Sequence, residues 1–338
     1  MQKYTFLYTI AQLLLAGLLA NCTTPTHTGK QPNQIFGMNT DTNYKTIEAA
    51  VALPAGALLG EGAYWHHARQ ELWWIDIENG QLHIFNPTDS SLQTHQMGRR
   101  IGTVVPDKKG DAVVALQDGI FRYRFDNQSL ELLAAPEKDK PNNRFNDGKC
   151  DPKGRLWAGT MAINASGKNG ALYCLEANGK IVKKIDGVGI SNGIVWTADA
   201  SQMYYIDTPT GEVRAYNYDA ATGNIRFNRV AVRVPKDAGH PDGMAIDTED
   251  MIWIALWEGG CVMRYNPVTG KPLLKILTPG AWRVTSCAFG GKQLNELYIT
   301  TASIGLSKEE KQHYPNSGHL FKVTLDTIKG VVMPVFAY

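Results

Sequence analysis

Several things are scarce in this 338-residue chain, and each scarcity excludes something. Neither sign of charge dominates, with 34 Lys and Arg against 32 Asp and Glu. A nucleic-acid partner or a polybasic membrane surface therefore has no electrostatic basis. Long charged helical runs are absent, whereas glycine, tryptophan and tyrosine are frequent, which favours a turn-rich β protein. Nothing suggests a Ser-His-Asp hydrolase, because the β-rich pattern lacks the strand-to-helix turn that a nucleophile elbow needs. The five cysteines (Cys22, Cys150, Cys174, Cys261 and Cys287) show neither CxxC nor Cys/His metal spacing. The last four sit in or beside apolar strands and are expected as buried free thiols.

The N-terminus reads as an address. Lys3 supplies a positive start, and an apolar stretch runs from about Leu7 to Ala20. Thr9 and Gln12 interrupt it, and it is short for a membrane-spanning helix. Leu19-Ala20-Asn21-Cys22 resembles a bacterial lipobox, although Asn21 stands where a small residue is usual; Cys22 is the expected lipidation site. A plain secretory signal or an uncleaved anchor are the alternatives. Residues 1–22 are thus expected as signal peptide, 23–45 as a polar flexible tether and 46–338 as one folded domain. The protein is expected to be exported to a bacterial periplasm, touching the membrane only through the lipid.

From about residue 70 a unit recurs: a short apolar strand, in most copies bearing an aromatic, then a glycine turn and an alternating strand. Trp73 to Trp157 spans 84 residues over two units, and Trp157–Tyr204, Tyr204–Trp253 and Trp253–Tyr298 span 47, 49 and 45. Six copies at this period, each with several short strands, predict an all-β, six-bladed β-propeller. Closure is expected to pair a strand near Ile47–Leu53 with the segment Val331–Tyr338, removing the exposed edge.

Position within the unit supplies the functional argument. Glu61 lies 12 residues before Trp73, Asn146 11 before Trp157, Asn192 12 before Tyr204 and Asp242 11 before Trp253. Asn-Gly, Asp-Gly and Pro-Asp-Gly are ordinary turn sequences when met singly. A turn does not require a common phase, and Glu61 between two glycines is a poor turn residue. In a propeller, equivalent positions of first strands converge on the axis. Two carboxylates and two carboxamides there make an oxygen cage suited to Ca²⁺, Mg²⁺, Mn²⁺ or Zn²⁺. Asp207-Thr208-Pro209-Thr210-Gly211 reads as a turn, and His66-His67 as a surface pair. His240 and Lys149 are candidate wall residues.

These residues carry a resemblance to the senescence marker protein 30/gluconolactonase/luciferin-regenerating enzyme-like family. It rests on LGEGAYW (Leu59–Trp65), NRFNDGKCDPKGRLWAGTM (Asn143–Met161), ISNGIVW (Ile190–Trp196), GHPDGMAID (Gly239–Asp247) and TSCAFGG (Thr285–Gly291). The resemblance implies a six-bladed propeller with one catalytic divalent cation, often Ca²⁺ or Zn²⁺. It implies Glu61, Asn192 and Asp242 as ligands, Asn146 near the metal or substrate, and Arg144 on substrate oxygens. The implied activity is hydrolysis of sugar lactones, with Asp242 as general base. The segment Ala162–Asn169 lacks the acidic residue some members place near the substrate. Two other functions stand beside this one: a calcium-binding propeller acting as a ligand- or protein-binding module, and a related metal-dependent esterase or phosphotriesterase.

Overall fold

The structure is a computed structural model and describes residues 44–337; Cys22, the signal segment and nearly all of the tether lie outside the described residues. Lys45, assigned to the tether from sequence, begins the first strand. The described residues form six sheets, each a blade. In four of them all strands follow one another antiparallel in chain order from the axis outward, and in the last two an N-terminal strand is added at the outer edge. The innermost strands are Gly60–His66, Ile101–Pro106, Asn143–Cys150, Ser191–Trp196, His240–Ile246 and Arg283–Gly290. The landmark aromatics of the repeat fall on the second strands, where Trp73, Trp157, Trp253 and Tyr298 are wholly buried between blades.

A shared polar device locks three blades. Five residues after Gly102, Asn146 and Asp242 stand Asp107, Asp151 and Asp247, each at the end of its innermost strand. One carboxylate oxygen of Asp151 accepts the Lys153 and Arg155 amides at 2.9 and 3.0 Å, closing the turn. The other accepts Arg155 Nε at 2.6 Å and Trp157 Nε1 at 2.9 Å. Asp247 repeats the scheme with Trp253 Nε1 at 2.9 Å and Arg264 Nε at 2.8 Å. Asp107 does so with Arg122 Nε at 3.1 Å. These buried charges are paired and hydrogen-bonded, as burial demands.

Closure differs from the expectation. The N-terminal strand Ala50–Leu53 pairs antiparallel with Leu320–Thr324 as the outermost strand of blade six. Lys45–Glu48 adds a fifth, parallel strand to the outer edge of blade five. Among the described residues, the segment 331–337 takes no part in that pairing. Its described residues instead cross the far end of the channel, where Phe336 N donates to Pro106 O at 2.8 Å and Ala337 N to Gly154 O at 2.9 Å. The reason is reach: the alternating apolar residues of Leu320–Thr324 already complete the sheet, leaving the proline-bearing tail to cover the channel. Beneath it lies an apolar cavity of ≈ 320 Å³ walled by Cys150, Trp196, Ile246, Phe289 and Val331–Pro334, with Lys149 the one charged group in its lining.

All six innermost strands carry a register shift at the same level: Glu61/Tyr64, Ile101/Thr103, Phe145/Gly148, Asn192/Ile194, Pro241/Met244 and Val284/Ser286. Such bulges turn side chains that would face a neighbouring blade toward the axis. Of the glycines beside the polar positions, Gly148, Gly193 and Gly243 serve close approach, whereas Gly62 supplies a positive φ of 61°. A Cβ on Gly243 would lie 2.7 Å from Thr285 O and 2.8 Å from Ser286 Cα. Gly243→Ala is therefore expected to destabilise the fold by about 1–3 kcal/mol through overpacking. Urea denaturation beside the wild type checks this.

Candidate active site on the propeller axis

Glu61, Asn146, Asn192 and Asp242 lie near the N-terminal ends of four innermost strands and are brought together at one end of the channel. All four are about 95% buried. The sequence expectation of a common phase thus becomes a common height, and the equivalent positions of blades two and six are filled by Gly102, Thr103, Thr285 and Ser286. Thr285 Oγ1 donates to Gly60 O at 2.5 Å and Thr103 Oγ1 to Gly148 O at 2.9 Å, so small hydroxyls stitch neighbouring blades where no ligand-type side chain stands.

The carboxamides form a directed chain. Arg144 Nη1 donates to Asn146 Oδ1 at 2.6 Å and to Phe145 O at 2.9 Å. Asn146 Nδ2 donates to Asn192 Oδ1 at 2.9 Å and to Ser191 O at 2.7 Å. Asn192 Nδ2 donates to Thr208 Oγ1 at 2.8 Å. Arg144 is buried, and desolvation lowers its pKa to about 10, against the pull of Glu78, Glu61 and Asp242. It remains a cation at neutral pH.

The carboxylates are short of partners. Glu61 Oε2 accepts the Gly62 amide at 3.0 Å, and Glu61 and Asp242 are close enough to share a hydrogen bond. Asp242 Oδ1 is buried with no hydrogen-bond partner. Burial, then the neighbouring Asp147 charge, pushes Glu61 up to about 8. Burial and the facing Glu61 push Asp242 well above the usual carboxylate range. Two carboxyls held together out of water cannot both ionise without a counter-charge.

Two neighbours went unassigned or half-assigned from sequence. Asp147 had been only the middle of an Asn-Asp-Gly turn. It is a third buried carboxylate, its Oδ1 on the Gly148 amide at 2.7 Å and its Oδ2 without a partner. Burial raises its pKa and Lys149 opposes the rise. The bulge in Asn143–Cys150 concealed it, because strict alternation would have turned Asp147 away from Asn146. Lys149, a candidate wall residue, lies lower in the channel and reaches across it to donate to Met244 O. Asp207-Thr208-Pro209-Thr210-Gly211 is a turn, with a short 3₁₀ segment at Thr208–Thr210. It also enters the site, since Thr208 supports Asn192. His240 is exposed at the start of its strand, and His66 lies at the opposite end of its strand from Glu61.

With this geometry in hand, the comparison with known proteins is decisive for the family. Residues 59–303 match the SMP-30/Gluconolactonase/LRE-like region family. The chain belongs to that family. It is 37% identical over 281 residues to a Bacillus subtilis protein named as a sugar lactone lactonase, YvrE, covering 83% of this chain and 96% of that one. It is 37% identical over 298 residues to regucalcin of Oryctolagus cuniculus, covering 87% and 99%. A solved calcium-binding protein, regucalcin of Agrobacterium tumefaciens, superposes with a TM-score of 0.83 at 28% identity, covering 87% of this chain and 99% of that one. A luciferin-regenerating enzyme superposes with a TM-score of 0.80 at 31% identity, covering 86% and 100%.

The raised carboxyls make a prediction that needs no ligand. A folded-state pKa above the unfolded value means the native protein holds extra protons between about 4.5 and about 8. Stability from this source is full below that window and is lost as pH rises through it. Kept in EDTA, the protein is expected to lose thermal stability across that range, and Glu61→Gln to flatten the loss. A variant melting curve falling as steeply as the wild type would contradict this.

Proposed function

We propose that the protein is a metal-dependent lactonase that hydrolyses sugar lactones or related small cyclic esters. The observation that carries this is Asp242 Oδ1, buried without a partner beside Glu61, with the Asn192 carboxamide in the same ring of contacts. That donor set is hard, oxygen-only and under-compensated in charge, which fits one divalent cation. Glu61, Asn192 and Asp242 would hold it, with Asn146 beside them; Ca²⁺ or Zn²⁺ leads, and Mg²⁺ or Mn²⁺ also suits oxygen ligands. When bound, the cation supplies Lewis-acid polarisation of the ester carbonyl and a more acidic water.

The chain's own groups account for the rest. Asp242, with two carboxylate oxygens, accepts a proton from the attacking water as its oxygen bonds to the carbonyl carbon. The ring C–O bond then breaks, and the proton passes to the departing ring oxygen, giving a hydroxy acid. Arg144 spends Nη1 on Asn146 and Phe145. Its remaining N–H groups are free to orient substrate oxygens and meet the product carboxylate. Asn146, held by Arg144, presents an amide edge at the same level. In the same reading, the apolar N-terminal segment and Cys22 support export and a lipid anchor, which would put this activity outside the cytoplasm.

The test is hydrolysis of glucono-δ-lactone and a small lactone panel in EDTA, then with Ca²⁺, Zn²⁺ or Mn²⁺ restored. Cation-dependent turnover is expected, falling about 100-fold or more in Asp242→Ala. A tightly bound cation without turnover on any lactone would sink the proposal. At pH 7, below the value of about 8 for cation-free Glu61, binding is also expected to release roughly one proton per cation. Calorimetry in buffers of different ionisation enthalpy measures it, and equal heats would refute it.

A further inference from the structure

We infer that Thr208 is a positioning residue that fixes which end of the Asn192 carboxamide faces the axis; its consequence for cation binding rests on the function proposed above. A carboxamide is nearly symmetric in shape, and only its hydrogen-bond partners decide whether Oδ1 or Nδ2 points inward. Nδ2 in the ligand position would present hydrogens to a cation. Here the choice is forced from both ends. Pro241 offers a carbonyl that can only accept, and Thr208 Oγ1 donates to it at 2.7 Å. That contact uses the one hydroxyl proton, so Thr208 Oγ1 can only accept from Asn192, and Nδ2 supplies the proton at 2.8 Å. At the other end Arg144 can only donate, so Asn146 must turn Oδ1 toward it, at 2.6 Å. Asn146 Nδ2 is then left to meet Asn192 Oδ1 at 2.9 Å.

The chain Arg144–Asn146–Asn192–Thr208–Pro241 therefore has one direction, set by a guanidinium and a backbone carbonyl. Thr208 opens the 3₁₀ segment Thr208–Thr210, and its own amide donates to Ile190 O at 3.1 Å. Thr208 is thus anchored by its amide to Ile190, two residues before Asn192, and by its hydroxyl to Pro241, the residue before Asp242. It couples the positions of the two side chains across blades four and five.

The experiment compares Thr208→Val, which keeps the shape and removes the hydroxyl, with Thr208→Ser, which keeps the hydroxyl. One readout is the side-chain NH₂ of Asn192 in ¹⁵N spectra of the cation-free protein, with its hydrogen exchange. The other is Ca²⁺ and Zn²⁺ affinity by calorimetry. In Thr208→Val, the Asn192 signals are expected to shift and lose protection, and affinity to fall about 10- to 100-fold. Thr208→Ser is expected to restore both, with melting temperatures close to wild type throughout. Unchanged Asn192 signals and affinity in Thr208→Val would overturn the assignment. If the wild type binds no cation, the proposed function fails. The spectra still decide the role of Thr208: lost protection supports it and retained protection refutes it.

Discussion

Everything at the centre of this molecule follows from the closeness of six innermost strands around one axis. At their bulges the strands approach until a Cβ on Gly193 would sit 2.6 Å from Met244 Cβ, and one on Gly102 2.4 Å from Phe145 backbone. At that separation, backbone groups of one blade have no water to turn to. They are met by side chains of the next: Thr285 on Gly60, Thr103 on Gly148, Asn146 on Ser191 and Thr208 on Pro241. The site is thus part of the closure of the ring.

The same closeness sets the electrostatics. Glu61, Asp147 and Asp242 are each about 95% buried, with Arg144 at their level and Lys149 below. Asp147 and Lys149 counter each other, and Lys149 is held by Met244 O from across the channel. Arg144 is drawn to Glu78 as well as to the site carboxylates. This leaves the Glu61–Asp242 pair without a dedicated cation from the protein, and that is the opening a divalent ion would fill. The apolar cavity at the far end has no comparable set of groups, and the tail Val331–Pro334 lies over it.

Much of the architecture was legible because it repeats. The aromatic landmarks kept a period of 45 to 49 residues through the second half of the chain. Five of the six blades carry a landmark aromatic on the second strand, and the 84-residue span from Trp73 to Trp157 leaves room for the sixth, whose second strand Ala112–Leu116 has none. The closure partner was not legible, because Leu320–Thr324 and Val331–Tyr338 are both apolar enough to pair with Ala50–Leu53. Asp147 was missed because a bulge adds a residue to the strand period, and Asn-Asp-Gly looks like a turn whether or not it makes one. Thr208 was missed because it lies 16 residues from Asn192 and belongs to the next connection in its blade.

Residue spacing alone determined the blade number and the shared phase of Glu61, Asn146, Asn192 and Asp242, since both are properties of a repeat and survive without coordinates. Only the tertiary structure decided what each side chain faces. It decided that Arg144 spends one nitrogen on Asn146, that Asp242 is left with an unpaired oxygen, and that Thr208 turns Asn192. Hydrogen-bond direction depends on which donors and acceptors meet within about 3 Å, and residues far apart in the chain meet only once the ring has closed.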